Sequence, residues 1–163
     1  MATNSLTSDV RIFETPVGAY LISTDPGRLD LHAIHTYLSE ESYWARGRSE
    51  ETIVRAIENS LPFGLYLDGA QVGFARVVTD WATFAWIADV YVLASERGRG
   101  LGKALVEAVL EHPAVRGLPR VMLATADAHG LYEGYGFERL PRPERFMAIE
   151  SRQLRNIGLE PAE

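Results

Sequence analysis

The 163-residue chain has no cysteine, which excludes disulfides, thiolate catalysis and cysteine-ligated zinc. A cysteine-free composition suits a reducing compartment, and the expected location is cytoplasmic. No apolar run approaches the ~20 residues that span a bilayer. The N-terminus, which carries Asp9 and Glu14, has no sustained apolar segment of the signal-peptide kind, so no membrane association is expected. Basic charge is also scarce. Sixteen Lys and Arg against 22 Asp and Glu give a net charge of −6, so no broad basic face for DNA or RNA is expected. The four histidines, His32, His35, His112 and His129, form no metal-binding set, and no metal is expected.

What is present suffices for one core. With 47% hydrophobic residues, residues 1–163 read as a single domain with a core from about 10 to 150 and a surface tail over 151–163. Ala19–Thr24 reads as a first strand, closed by Asp25-Pro26-Gly27. Leu31, Ile34, His35 and Leu38 recur at helical spacing, and a second helix over 49–59 opens on Ser49 as cap with Glu50 and Glu51 in its first turn. Two extended runs, 63–67 and 71–78, flank Asp68-Gly69 and predict a hairpin. Thr83–Val92 is a third member of that antiparallel meander. A helix through Glu111, a short strand over 121–124, a helix over 128–135 and a last strand over 146–149 follow. The strand–helix–strand order from Val92 onward requires a parallel crossover. The fold class is therefore α/β of the α+β kind, with a mixed, mostly antiparallel sheet flanked by helices.

The most informative stretch is Arg97-Gly98-Arg99-Gly100-Leu101-Gly102-Lys103, between a strand and a helix. Glycines let the backbone turn tightly, and the first amides of a helix are unpaired and partly positive, so this is a site for an anion. It lacks the spacing and Lys-Ser/Thr ending of a P-loop, and Lys103 stands where G-x-G-x-x-G needs its third glycine.

Together with Leu131-Tyr132-Glu133-Gly134-Tyr135-Gly136-Phe137, this loop resembles the GNAT superfamily of acetyl-CoA-dependent N-acetyltransferases. Its motif Arg/Gln-x-x-Gly-x-Gly/Ala is met by Arg97 to Gly102, and its Leu-Tyr, three residues, Gly-Phe segment by Leu131 to Phe137. The resemblance covers about residues 19–149. It implies acetyl-CoA as co-substrate, with the pyrophosphate on loop amides from Gly98 to Lys103 and the pantetheine paired with Val90, Tyr91 and Val92. It also implies Tyr132 as the general acid for the departing thiolate. A phenol, with a reference pKa of about 10, stays protonated at neutral pH and can donate to a developing sulfur charge.

Two positions depart from the family pattern. Ala88-Asp89 stands where many relatives carry Glu-Asp, leaving Asp89 either as the base or as an aspartate paired with Arg76 or capping a bulge. Asp80 is a second carboxylate candidate. Thr125, with Asp127, occupies the place where relatives often have a cofactor-positioning asparagine. Acceptor residues are sought in Ser42–Arg48, where Tyr43 and Trp44 are either ligand contacts or packing anchors. The expected function is acetyl transfer to a primary amine of a small, amino acid-like molecule by direct attack in a ternary complex. A noncatalytic CoA-binding or interaction module, a longer acyl donor and a homodimer all stay open.

Overall fold

The computed structural model describes residues 11–151 and Gln153. The chain groups into two compact units, Met1–Leu131 and Tyr132–Glu163. Among the described residues the first holds six strands: β1 (Glu14–Val17), β2 (Tyr20–Ser23), β3 (Leu61–Leu67), β4 (Ala70–Thr79), β5 (Ala85–Val92) and β6 (Val121–Met122). They form one sheet in chain order. Every pairing is antiparallel except β5 with β6, which is parallel, so the mixed sheet expected from sequence is observed.

Local chemistry accounts for most of these elements. Asp68 and Gly69 both take left-handed backbone conformations, φ 49° and 83°, which match the twist of a tight hairpin between β3 and β4. Asp30 caps α1 (Leu31–Thr36) by accepting from the Ala33 amide at 2.9 Å. A π-helical turn, Tyr37–Glu41, continues it. Ser49 accepts from the Thr52 amide and starts α2 (Glu50–Glu58), whose Ile53 and Ile57, four apart, are its buried stripe. These helices and the loop before α2 bury Ile34, Tyr37, Leu38, Ala45, Ile53 and Ile57 against Phe74 of β4 and Tyr91 of β5. Each fully buried aliphatic side chain contributes about 1.5–3 kcal/mol. Phe74 pairs with Gly64, so Phe63 points to the opposite side of β3. There it meets α3 (Leu101–Glu111), which buries Leu101, Leu105, Val106 and Val109. Among the described residues no helix is long and apolar enough to cross a membrane.

Two features differ from the sequence reading. β1 carries no strand signal in the sequence, because Glu14–Val17 is largely exposed and contains Pro16, and so has neither alternation nor a buried face. It survives as an edge strand, where a proline is tolerated. In the second unit, residues 146–149 form no strand. Phe146-Met147-Ala148-Ile149 has strand propensity, but its side chains are exposed, Met147 at 98%, and propensity without burial does not make a strand. A short helix, α4 (His129–Glu133), stands where residues 128–135 were expected to be helical. The tail after Ser151 lies, Gln153 aside, outside the described residues.

Candidate functional site

The glycine loop begins one short 3-10 turn, Ala94–Glu96, after β5. Arg97 turns back toward the strand: its Nε donates to the Val92 carbonyl at 3.0 Å and a terminal nitrogen to the Tyr37 hydroxyl at 2.9 Å. Tyr37 in turn stacks on Tyr91, ring centroids 3.8 Å apart. Arg97 thus fixes where the strand stops and the loop starts. Arg99 pairs with Glu96 at 3.6 Å, and Glu96 accepts from the Tyr20 hydroxyl at 2.6 Å.

Gly98 and Gly100 are both left-handed, φ 78° and 77°, a conformation that costs other L-residues about 1–2 kcal/mol. Gly100 is the N-cap of α3, so no side chain caps the helix, and its first turn has no acidic residue. The ladder starts at Ala104 N–H to Gly100 C=O, 3.0 Å, and the first amides of a helix have no carbonyl four residues back within it. A Cβ built on Gly98 or Gly100 would meet nothing within 4 Å. An uncapped eleven-residue helix behind open space fits an anionic group such as a pyrophosphate. Leu101 is buried in the core, while Gly102 and Lys103 complete the first turn.

Beside the loop, the sheet is split. β6 pairs with β5 only at Ala85–Val121 and Trp86–Met122, so on that side β5 has no strand partner from Ile87 through Val90, Tyr91 and Val92 among the described residues. Free strand edges offer backbone donors and acceptors to an extended ligand. β5 also carries a bulge: Phe74 pairs with Tyr91 but Arg76 with Ala88, so three β5 steps oppose two on β4. Asp89 lies in it with φ 54°.

Of the alternatives to a base that the sequence left open for Asp89, the pairing with Arg76 is observed, and the residue itself lies within a bulge. Its carboxylate is buried and accepts from Arg76 Nε at 2.5 Å, Trp44 Nε1 at 3.0 Å and Arg48 at 3.3 Å. Trp44, 38% exposed, is tied to Asp89 through its indole N–H and to Tyr43 through an edge-on ring contact. Tyr43, in edge contact with Trp44, donates to the Asp127 carboxylate at 3.3 Å and accepts from the Ala126 amide at 3.1 Å. The loop over 42–48 consequently straddles the split, holding β5 through Asp89 and the segment after β6 through Tyr43. Thr125 accepts from the Ala128 amide at 3.0 Å and shapes the turn before α4.

Asp80 is used locally. The Thr83 hydroxyl and the amides of Thr83, Ala82 and Phe84 all donate to it, holding its carboxyl well below the usual carboxylate range. It closes the β4–β5 turn. Tyr132 is a buried residue of α4; its ring meets Phe137 edge-on at 5.7 Å, and its carbonyl accepts from the Tyr135 and Phe137 amides. Sequence reasoning did not find Tyr37 as the partner of Arg97, or Arg48 and Trp44 as partners of Asp89. These pairs are 41–60 residues apart, and no local pattern links them.

Known proteins agree with this architecture. The profile of the Acetyltransferase (GNAT) family matches residues 15–137. A Gibberella zeae protein, named provisionally as an acetyltransferase, is 34% identical over 137 residues, 71% of this chain and 76% of that one. A solved structure from Xanthomonas campestris pv. campestris, described provisionally as a GNAT-family acetyltransferase, superposes with a TM-score of 0.79. It is 48% identical and covers 80% of this chain and 92% of its own. The ribosomal-protein-S18-alanine N-acetyltransferase of Escherichia coli gives a TM-score of 0.60 at 26% identity, over 74% of this chain and 79% of that one. The chain belongs to the GNAT acetyltransferase family and is an acyltransferase of that type. The family generally uses acetyl-CoA.

Proposed function

We propose that this protein transfers the acetyl group of acetyl-CoA to a primary amine of a small, amino acid-like molecule, by direct attack within a ternary complex. The observation that carries the reading is the junction of two features: a helix N-terminus capped only by glycine, and the free edge of β5 leading to it. The family match from residue 15 to 137 crosses from the first unit into the first residues of the second, in keeping with residues 1–163 as one acetyltransferase domain.

When bound, acetyl-CoA supplies the activated acyl thioester. The amides from Gly98 to Lys103 would hold its pyrophosphate, with Arg97 and Arg99 shaping the loop and Leu101 anchoring it in the core. Val90, Tyr91 and Val92 present the strand edge for the pantetheine amides, and Thr125 orders the opposing turn. The amine must lose a proton before it attacks. That proton passes to solvent, and Asp89, whose oxygens already accept from Arg76, Trp44 and Arg48, holds Trp44 and Arg48 around the acceptor instead of acting as the base. Asp80 orders the β4–β5 turn, and Tyr43 and Trp44 frame the acceptor. Tyr132 gives its phenolic proton to the departing sulfur. With no cysteine in the chain, no enzyme thiolate can be acetylated on the way.

A screen of amines, amino acids and peptides, read by thiol release from acetyl-CoA above background hydrolysis, tests the proposal. Acceptor-dependent release supports it. Cofactor binding without release from any acceptor would favour a noncatalytic CoA-binding module.

A further inference from the structure

Two guanidiniums meet one carboxylate at the β5 bulge, so the cluster carries a net positive charge. Asp89 accepts at Oδ2 from Arg76 Nε and Arg48, and at Oδ1 from Trp44 Nε1 and the same Arg48 nitrogen. A guanidinium has five N–H donors. Arg76 uses only Nε and Arg48 only one terminal nitrogen on protein acceptors among the described residues, so most of their donors are unspent. The side chains are 28% exposed for Arg48 and 14% for Arg76, against 4% for Asp89. Charge at that depth without a counter-charge is costly. Among the described residues Asp89 is the one carboxylate that either guanidinium pairs with. Left-handed backbone at a non-glycine residue, as at Asp89, is strain of the kind kept at binding sites.

We propose that Arg48, backed by Arg76, anchors an anionic group of the acceptor, a carboxylate or phosphate on the same molecule as the amine. This rests on reading the split beside β5 as the acetyl-transfer site. Arg48 belongs to the loop that straddles the split, so it reaches the acceptor without lying on the path of the cofactor loop. A planar guanidinium fork with free donors matches an oxyanion bidentately, while the amine is left toward the thioester. Arg48 is thus a specificity residue, and the acceptor is zwitterionic rather than simply cationic.

The test compares matched acceptors that differ only in charge: amino acids against their amides, and phosphoethanolamine against ethanolamine. Wild-type enzyme should prefer the anionic member by about tenfold or more in kcat/KM, mainly through KM. Arg48→Gln should bring that ratio toward one, and Arg48→Lys, which keeps charge but not the fork, should fall between. Equal use of both members by wild type, or an unchanged ratio in Arg48→Gln, overturns the proposal. A binding measurement covers the case in which no acceptor turns over. Acetate or inorganic phosphate is titrated into wild-type protein saturated with acetyl-CoA, and the fluorescence of Trp44 is followed. A saturable change that disappears in Arg48→Gln and in Trp44→Phe is expected, and no saturable change overturns the proposal. Failure of acetyl-CoA itself to bind, by calorimetry, refutes the underlying transferase reading instead.

Discussion

Arg76 Nε lies 2.5 Å from the carboxylate of Asp89, at the one residue of β5 whose backbone turns left-handed. The bulge brings about that meeting, because it rotates Asp89 out of the alternation that would otherwise set its side. A carboxylate held by two arginines and an indole is first of all an anchor. Breaking a buried pair by removing one partner leaves charge without compensation.

Asp89→Asn should therefore destabilise the protein by about 3–5 kcal/mol. Urea denaturation checks this, and Asp89→Asn combined with Arg76→Met should cost less than the sum of the two single changes. A loss below about 0.5 kcal/mol in Asp89→Asn, the range of an ordinary surface substitution, would mean that the anchor carries no structural weight.

Gly100→Ala separates folding from binding. The residue is left-handed, with φ 77°, and has open space in front of it, so stability should drop by only about 1–2 kcal/mol. Acetyl-CoA affinity should fall about tenfold or more, because the new methyl group occupies the face from which the phosphates approach. Unchanged affinity would place the phosphates elsewhere.

His112 makes stability depend on pH. It is buried among the rings of Phe13, Phe63 and Trp81, and burial pushes its pKa down from the usual 6.5. Its Nδ1 accepts from the Ala114 amide at 3.1 Å, which fixes the neutral ring. Below about pH 6.5 the unfolded chain takes up a proton that the folded chain resists, so stability should fall as pH drops through that window. Denaturation midpoints between pH 5 and 7.5 should show this slope in wild type and a flatter one in His112→Phe. Equal slopes would remove His112 as the cause.

Tyr132→Phe should lower kcat by about 10²-fold, the usual worth of a general acid, with little change in acetyl-CoA affinity. Steady-state kinetics with calorimetry decides it, and an unchanged kcat removes the hydroxyl from the reaction.

Local signals were legible in the sequence and long-range ones were not. Asp68-Gly69, Ser49 and the Arg97–Gly102 motif each specify backbone geometry within a few residues, and the hairpin, the capped helix and the glycine-started helix are all present. Asp89 was recognisable as exceptional because a charge in an apolar strand needs a partner. Its partner Arg76 could be named, since β4 and β5 are adjacent. Arg48 and Trp44 could not, because a loop reaches Asp89 only after α1 and α2 have packed on the sheet. The 146–149 run misled for the same reason in reverse, since four apolar residues say nothing about what will cover them.

The central claim is that the junction of β5 and α3 is a cofactor site, and isothermal titration with acetyl-CoA and CoA tests it most directly. Saturable binding of both to wild type, markedly weakened in Gly100→Ala, is the predicted result. No heat of binding at millimolar cofactor, with the protein shown to be folded, would contradict it.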